Sequence, residues 1–256
     1  MGRGRGGYHH GGDQRPYGKP PGTDYEKKEE RKEQIVDFFL VLDLEGKQEI
    51  LEFPVAIVNV KTLEVEDFFH RYVRPVTFSD EQLAQYINGK YGKFGLTEKW
   101  FESAMPFTDV LVQFNDWLGH HGLLHSILRS EDGEETGEER QAAYSFLFVT
   151  CGNWDIKTQI PRQCAISKFD MPGYFHEWVN LKDVYLNFYK HKALGMRSML
   201  SGLGIQLEGD HHSGKDDVHN ICKIVMRMVN DGALVEPTAK RAIETGYVTY
   251  KYQHRV

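Results

Sequence analysis

The chain has 256 residues, of which 40% are hydrophobic and 27% charged, and its formal net charge is −6. That length suits one generous α/β domain with tails, the composition is that of a soluble protein able to bury a core, and no apolar run approaches the ~18–20 residues of a membrane span. Three scattered cysteines, Cys151, Cys164 and Cys222, exclude a disulfide framework or zinc cluster. With no apolar block resembling a signal peptide at the start, a cytoplasmic or nuclear setting is expected.

Residues 1–34 read as a disordered tail. A Gly-Arg repeat from Gly2 to Gly7 leads into Tyr8, His9, His10 and a Pro/Gly-rich stretch. Arg with Gly and Tyr suits loose RNA contact, and equally a solvated tail. Residues 35–235 read as the folded domain, and 236–256 as a C-terminal tail. The domain opens with three predicted strands, Ile35 to Leu44, Ile50 to Val60 and Val65 to Val76, rich in β-branched and aromatic residues. Short connections at Gly46 and at Lys61-Thr62 predict an antiparallel meander. Ser79 caps a predicted helix that runs through Asn88 to Gly89. A second, Thr108 to Leu118, puts Val110, Leu111, Phe114, Trp117 and Leu118 on one face. An acidic loop from Ser130 to Gln141 precedes a buried strand, Tyr144 to Cys151. Helices are then expected at Asp155 to Gln163, Leu181 to Lys190, Leu194 to Leu203 and Asp216 to Val229. The order is α/β with a mixed sheet.

The chemistry resides in acids at element ends. Asp43 and Glu45 close the first strand two residues apart, which turns both carboxylates to one face; converging carboxylates suit hard divalent cations. Asp155 lies just past the later strand, where capping the next helix is the simpler reading. His212 lies in a polar turn and Asp217 in the first turn of the last long helix. A histidine there suits a general base, and a surface loop with a helix-dipole Asp is the alternative.

Taken in order, Asp43, Glu45, Asp155, His212 and Asp217 resemble the pattern of the DEDDh (DnaQ-like) 3′→5′ exonucleases. Val149 to Asp155 with Pro161-Arg162-Gln163-Cys164 resembles the second motif of their Eri-type (enhanced-RNAi) branch. Gly195-Met196 to Leu203-Gly204 and His211 to Asp217 with Asn220-Ile221 resemble the third, and Glu52-Phe53-Pro54-Val55 and Tyr72-Val73-Arg74-Pro75 their early strands. The resemblance spans roughly residues 36 to 233. It implies an RNase H-like fold and a 3′→5′ exoribonuclease that releases nucleoside 5′-monophosphates. Two ions, Mg²⁺ or Mn²⁺, ~3.5–4 Å apart would stabilise the attacking and leaving oxygens. By position, Asp43, Glu45 and Asp217 would hold the first ion. Asp43 with Asp155, directly or through water, would hold the second, and His212 would deprotonate the attacking water.

Leu44, Gly46, Trp154 and Arg162 are the expected substrate contacts. Core packing is the alternative for Leu44 and Trp154, and a solvated charge for Arg162. The first motif departs from the family: Gly46-Lys47 follows Glu45 where Ala-Thr is common, which touches recognition of the substrate end. Lys168, Arg197 and Lys215 are further possible phosphate contacts, and Tyr247, Tyr250, Lys251, Tyr252 and Arg255 interleave aromatic and basic residues that could stack on RNA. The implied partner is RNA, single-stranded or with a 3′ overhang, with an Argonaute-type or other silencing protein if the chain resembles the fungal silencing (QIP-like) members, and no membrane. A DNA exonuclease on the same fold, separable by contacts to the 2′-OH, and a non-catalytic RNA-binding scaffold are the competing functions.

Overall fold

Five consecutive apolar residues, Phe38–Leu42, form β1, and all are buried. A strand polar on neither face must lie at the centre of a sheet covered on both sides, and in the computed structural model, which describes residues 29–86, 88, 98–129, 135–253 and 255, it does. β2 (Glu52–Asn59) and β3 (Glu64–Tyr72) extend from it as the antiparallel meander the short turns predict. On its other side β1 pairs in parallel with β6 (Phe146–Thr150), and β6 in parallel with β7 (Glu177–Asn180). The seven-stranded order is β3-β2-β1-β6-β7-β8-β9, ending in short antiparallel strands β8 (Ala239–Arg241) and β9 (Val248–Tyr250). The fold is the RNase H-like mixed sheet flanked by helices.

Alternation along β1 distributes the core. Phe38, Leu40 and Leu42 face one layer, which contains Phe107, Val110 and Phe114 of α3 (Phe107–His120) and Ile160 and Cys164 of α4 (Ile160–Ser167). Phe39 and Val41 face the other, built from α5 (Leu181–Tyr189), α6 (Met196–Leu203) and α7 (Gly214–Asn230). Period-2 alternation then points the next odd positions, Asp43 and Glu45, toward the α7 side. Two shorter helices, α1 (Asp80–Tyr86) and α2 (Glu98–Ser103), lie beyond β3. Ser79 caps α1 as expected: its Oγ accepts from Gln82 N–H at 3.2 Å, and Gln82 Oε1 takes Ser79 N–H at 2.9 Å. The C-terminal end expected for that helix, at Gly89, lies outside the described residues, as do residues 1–28 of the expected tail. Among the described residues no helix is long and apolar enough to cross a membrane.

The structure departs from the sequence reading in four places. The run expected as an acidic loop contains β5 (Glu135–Arg140), which pairs antiparallel with β4 (Ser126–Arg129) as a separate hairpin; backbone pairing made it a strand without an apolar alternation to announce it. β7 is only four residues long, too short for a periodicity, and takes its place from pairing with β6. The expected C-terminal tail contributes β8 and β9 to the sheet edge, three residues each, with Ala239, Val248 and Tyr250 joining the α3/α4 core layer and Lys240 and Thr249 exposed. Residues 29–34, expected as tail, pack on the domain: Gln34 bonds both the Ala233 carbonyl (3.1 Å) and Val235 N–H (2.9 Å).

Phe114 joins α3 to the sheet through rings at 5.2 Å from both Phe53 and Phe69 and 6.4 Å from Phe148. Phe114→Ala should cost about 3–5 kcal/mol, the usual loss for a buried Phe, measured by chemical denaturation. A loss below about 1 kcal/mol would mean that this cluster does not fasten α3.

Candidate active site

A cleft of ≈ 520 Å³ opens where β1 and β6 end against α7, bordered by Asp43, Leu44, Glu45, Asp217, His211 and His212 and, on its far wall, by Leu194 to Ser198. Three separate segments bring acids to this corner, of which Asp155 is buried behind the cleft and does not border it. Asp43 and Glu45 leave β1, Asp155 follows β6, and Asp217 stands in the first turn of α7. Carboxylate oxygens of Asp43, Glu45 and Asp217 all lie within 4.8 Å of one another. Asp155 falls outside that mutually close set; its Oδ1 instead accepts Leu44 N–H at 3.0 Å.

The segment carrying Asp43 and Glu45 is pinned along one side by the helical segment after β6. That segment begins as a π-turn, Asp155–Gln159, and continues into α4. Besides the Asp155 bond, Gln159 donates to the Gly46 carbonyl (3.2 Å), Arg162 to the Lys47 carbonyl (3.1 Å), and Gln163 accepts Ile50 N–H (2.8 Å). Asp155 is therefore no helix cap: Trp154 holds the N-cap position without a side-chain bond, and the Asp155 carboxylate reaches across to the first motif. Gly46 sits at φ +122°, and a Cβ there would fall 2.1 Å from the Glu49 carbonyl oxygen. The tight turn is thus reason enough for a glycine at 46.

Electrostatics mark the cluster as built for cations. Burial pushes the Asp43 carboxyl well above the usual carboxylate range, and the nearby Asp155, Asp217, Glu45 and Glu52 push the same way. Burial raises Asp155 to about 6 despite its bond from Leu44 N–H. Asp217 is raised by burial, against the opposing bonds from His211 and from the His212 N–H. His211 Nδ1 lies 3.1 Å from Asp217 Oδ1, and His212 N–H donates to Oδ2 at 2.9 Å. The two imidazoles stack with centroids 3.9 Å apart, and His212 adopts φ +74°, which turns its exposed ring at the cleft. A set of hard oxygen donors, with Asp43 and Asp217 raised by burial and Asp43 further by its acidic neighbours, is a fit for a divalent cation. Burial keeps the cysteines protonated, with Cys164 pushed up to about 12 and the cleft-lining Cys151 higher, so neither offers a thiolate nucleophile.

The four expected substrate contacts divide. Leu44 borders the cleft while its side chain backs onto the α3/α4 core layer. Trp154 is 52% exposed, not core; its indole donates to Gln159 (3.1 Å) and carries the Arg162 guanidinium 5.6 Å from its ring. None of Gly46, Trp154 and Arg162 borders the cleft itself. Sequence reading overlooked Lys182, Cys151 and His211 in the cleft. Lys182 follows β7 directly, in the first turn of α5 capped by Asn180 (3.2 Å), so its position depended on the strand that was missed. The adjacent pair His211-His212 offered one signal for two different roles.

Asp155 should make metal-free stability fall with rising pH. Its folded pKa of about 6 lies above the ordinary 3.8, so the folded state is favoured while the group is protonated, and that contribution is lost as pH rises through about 6. Asp155→Asn should therefore melt higher than wild type at pH 7.5 in EDTA, with the gap closing toward pH 4. A gap that stays constant across this range would show that Asp155 carries no such shift.

No family model matches the chain. It is similar to an uncharacterized exonuclease domain-containing protein of Arabidopsis thaliana, 50% identical over 214 residues, which are 84% of this chain and 60% of that one. It is similar to the mouse 3′-5′ exoribonuclease 1, 31% identical over 208 residues, 77% of this chain and 54% of the relative. The chain thus spans little more than half the length of these relatives. Among solved structures, the nuclease domain of 3′hExo, a DEDDh family member, bound to rAMP, superposes with a TM-score of 0.65 at 29% identity, covering 80% of this chain and 98% of that domain. DEDDh exonucleases of this kind imply dependence on a divalent metal, in agreement with the oxygen cluster of Asp43, Glu45 and Asp217. With the strand order, the acid set and these likenesses in accord, the chain belongs to the DEDDh 3′→5′ exonuclease family, among relatives that include the ERI1-type exoribonucleases.

Proposed function

We propose that this chain is a 3′→5′ exoribonuclease that releases nucleoside 5′-monophosphates. The observation that carries the reading is the cluster of Asp43, Glu45 and Asp217 oxygens within 4.8 Å, in a cleft that also holds two histidines. RNA is favoured over DNA because the mouse relative is named an exoribonuclease and the similar nuclease domain has rAMP bound. Asp43, Glu45 and Asp217 would hold one Mg²⁺ or Mn²⁺, and Asp43 with Asp155 a second. Once bound, such a pair supplies charge stabilisation to the attacking and leaving oxygens of an in-line displacement.

The protein's own groups do the rest. His212 takes the proton of the attacking water at its ring nitrogen. His211, hydrogen-bonded to Asp217, orients that carboxylate, the usual task of a group behind a metal ligand. Leu44 offers an apolar wall beside the cleft, and Lys182 a cation near the reacting phosphate. A setting in small-RNA silencing or structured 3′-end processing, with an Argonaute-type or other silencing partner, is proposed on the sequence resemblance and the Gly/Arg-rich opening.

Stepwise shortening of 5′-labelled RNA from its 3′ end, dependent on Mg²⁺ or Mn²⁺ and stopped by EDTA, is the expected result, with matched DNA cut more slowly. Asp43→Ala with Glu45→Ala should abolish cleavage. Retained RNA binding without cleavage in the wild type would favour a scaffold instead. His212→Ala should lower the rate by about 10²–10⁴-fold, the range of general acid–base catalysis, with the fold intact by circular dichroism. His211→Ala should cost less. The reverse order would assign the base to His211.

A further inference from the structure

Glu52 opens β2 and is only 4% exposed, yet nothing above requires a carboxylate there. Its two oxygens are fully engaged. Oε2 accepts the N–H of Gly214 at 3.1 Å, Oε1 accepts the N–H of Lys215 at 3.2 Å, and His70 Nε2 approaches Oε1 at 2.8 Å. Gly214 and Lys215 are the first residues of α7, whose flanking Ser213 makes no side-chain cap bond. The cap of α7 thus comes from a different strand. The fit is close: a Cβ on Gly214 would stand 3.1 Å from the Glu52 carboxyl carbon and 3.0 Å from Pro54 Cγ.

The main chain of the same residue holds the other side of the site. Glu45 and Glu52 form an isolated antiparallel bridge, with Glu45 N–H on the Glu52 carbonyl at 3.3 Å and Glu52 N–H on the Glu45 carbonyl at 3.4 Å. One residue therefore grips Glu45 through its backbone and the start of α7, one turn before Asp217, through its side chain. His70, on β3, sits between Phe68 and Tyr72 with its ring 4.8 Å from the Tyr72 ring, and so restrains the carboxylate from behind. Nearby acids push Asp43 upward, Glu52 among them, so placing this charge here works against the cluster; its hydrogen-bond geometry is the gain.

We propose that Glu52 is a positioning residue, held by His70, that sets the spacing between Glu45 and Asp217 at the width of one divalent cation. This rests on the proposed function, in which those two side chains share an ion. Groups behind metal ligands commonly carry about 10–100-fold in metal affinity. Mn²⁺ binding to the full chain, titrated by calorimetry without RNA, is the direct test. Glu52→Ala should weaken Mn²⁺ binding at least tenfold. Glu52→Gln retains one acceptor for the helix N–H groups and should lose less than about threefold. His70→Ala keeps both Glu52 acceptors for the α7 N–H groups, should fall between them, and serves if Glu52→Ala does not fold. Circular dichroism and melting temperature are recorded for each. Variants that melt lower yet bind Mn²⁺ like wild type would reduce Glu52 to a structural cap and overturn the proposal. So would Glu52→Gln losing as much as Glu52→Ala, since charge rather than position would then be at stake. A wild-type chain that binds no Mn²⁺ would instead overturn the metal site itself, and the proposed function with it.

Discussion

The cleft depends on one constraint: it gathers carboxylates where burial disfavours their charge, and at Asp43 neighbouring acids add repulsion to that cost. Two such charges ~4 Å apart repel by about 4 kcal/mol at an effective dielectric of about 20. A hydrogen bond to a charged group returns only about 1.5–3 kcal/mol. The donors that the chain aims at its acids, Leu44 N–H at Asp155 and His212 N–H with the His211 ring at Asp217, therefore do not offset the assembly alone. Burial raises the pKa values of Asp43, Asp155 and Asp217, and repulsion from nearby acids adds to the rise at Asp43. A divalent cation relieves what the hydrogen bonds leave, which is why a site of this kind suits a metal.

The scaffold can hold such a cluster because its parts are gripped from outside it. The parallel pairing of β1 with β6 brings two strand ends to one edge, the usual place for a site in an α/β sheet. The π-turn and α4 clamp the loop after β1 by four side-chain bonds spread over residues 155 to 163. Two aromatic and aliphatic layers, one on each sheet face, prevent the strands from sliding apart. The acid site on this fold is thus a matter of three segments meeting at one corner, with the N-terminus of α7 arriving last in the chain.

Much of this was legible from residues alone. Phe38–Leu42 announced a central strand because both faces are apolar, and the x-spaced pair Asp43 and Glu45 announced a shared face because strands alternate. Asp217 was picked out because it completes an ordered set of acids that resembles the exonuclease pattern, at the first turn of a recognisably amphipathic helix. Trp154, expected as a substrate contact with core packing as the alternative, is exposed and stands off the cleft, since an aromatic beside a strand end carries no mark of where it points. The hairpin of β4 and β5 and the edge strands β8 and β9 were unread for a related reason: their pairing is backbone to backbone, and side chains barely encode it.

The sequence by itself determined the central strands and the helices with strong periodicity, because burial on a fixed period is a local property of the chain, while the ordered acids and His212 stood out only through their resemblance to a family pattern. Only the tertiary structure decided that Asp155 bonds Leu44 rather than capping a helix, that His211 and not only His212 reaches the acids, and that Glu52 joins Glu45 to α7 across 162 positions of chain. Those are distances between segments remote in sequence, and no local pattern of residue types records a distance.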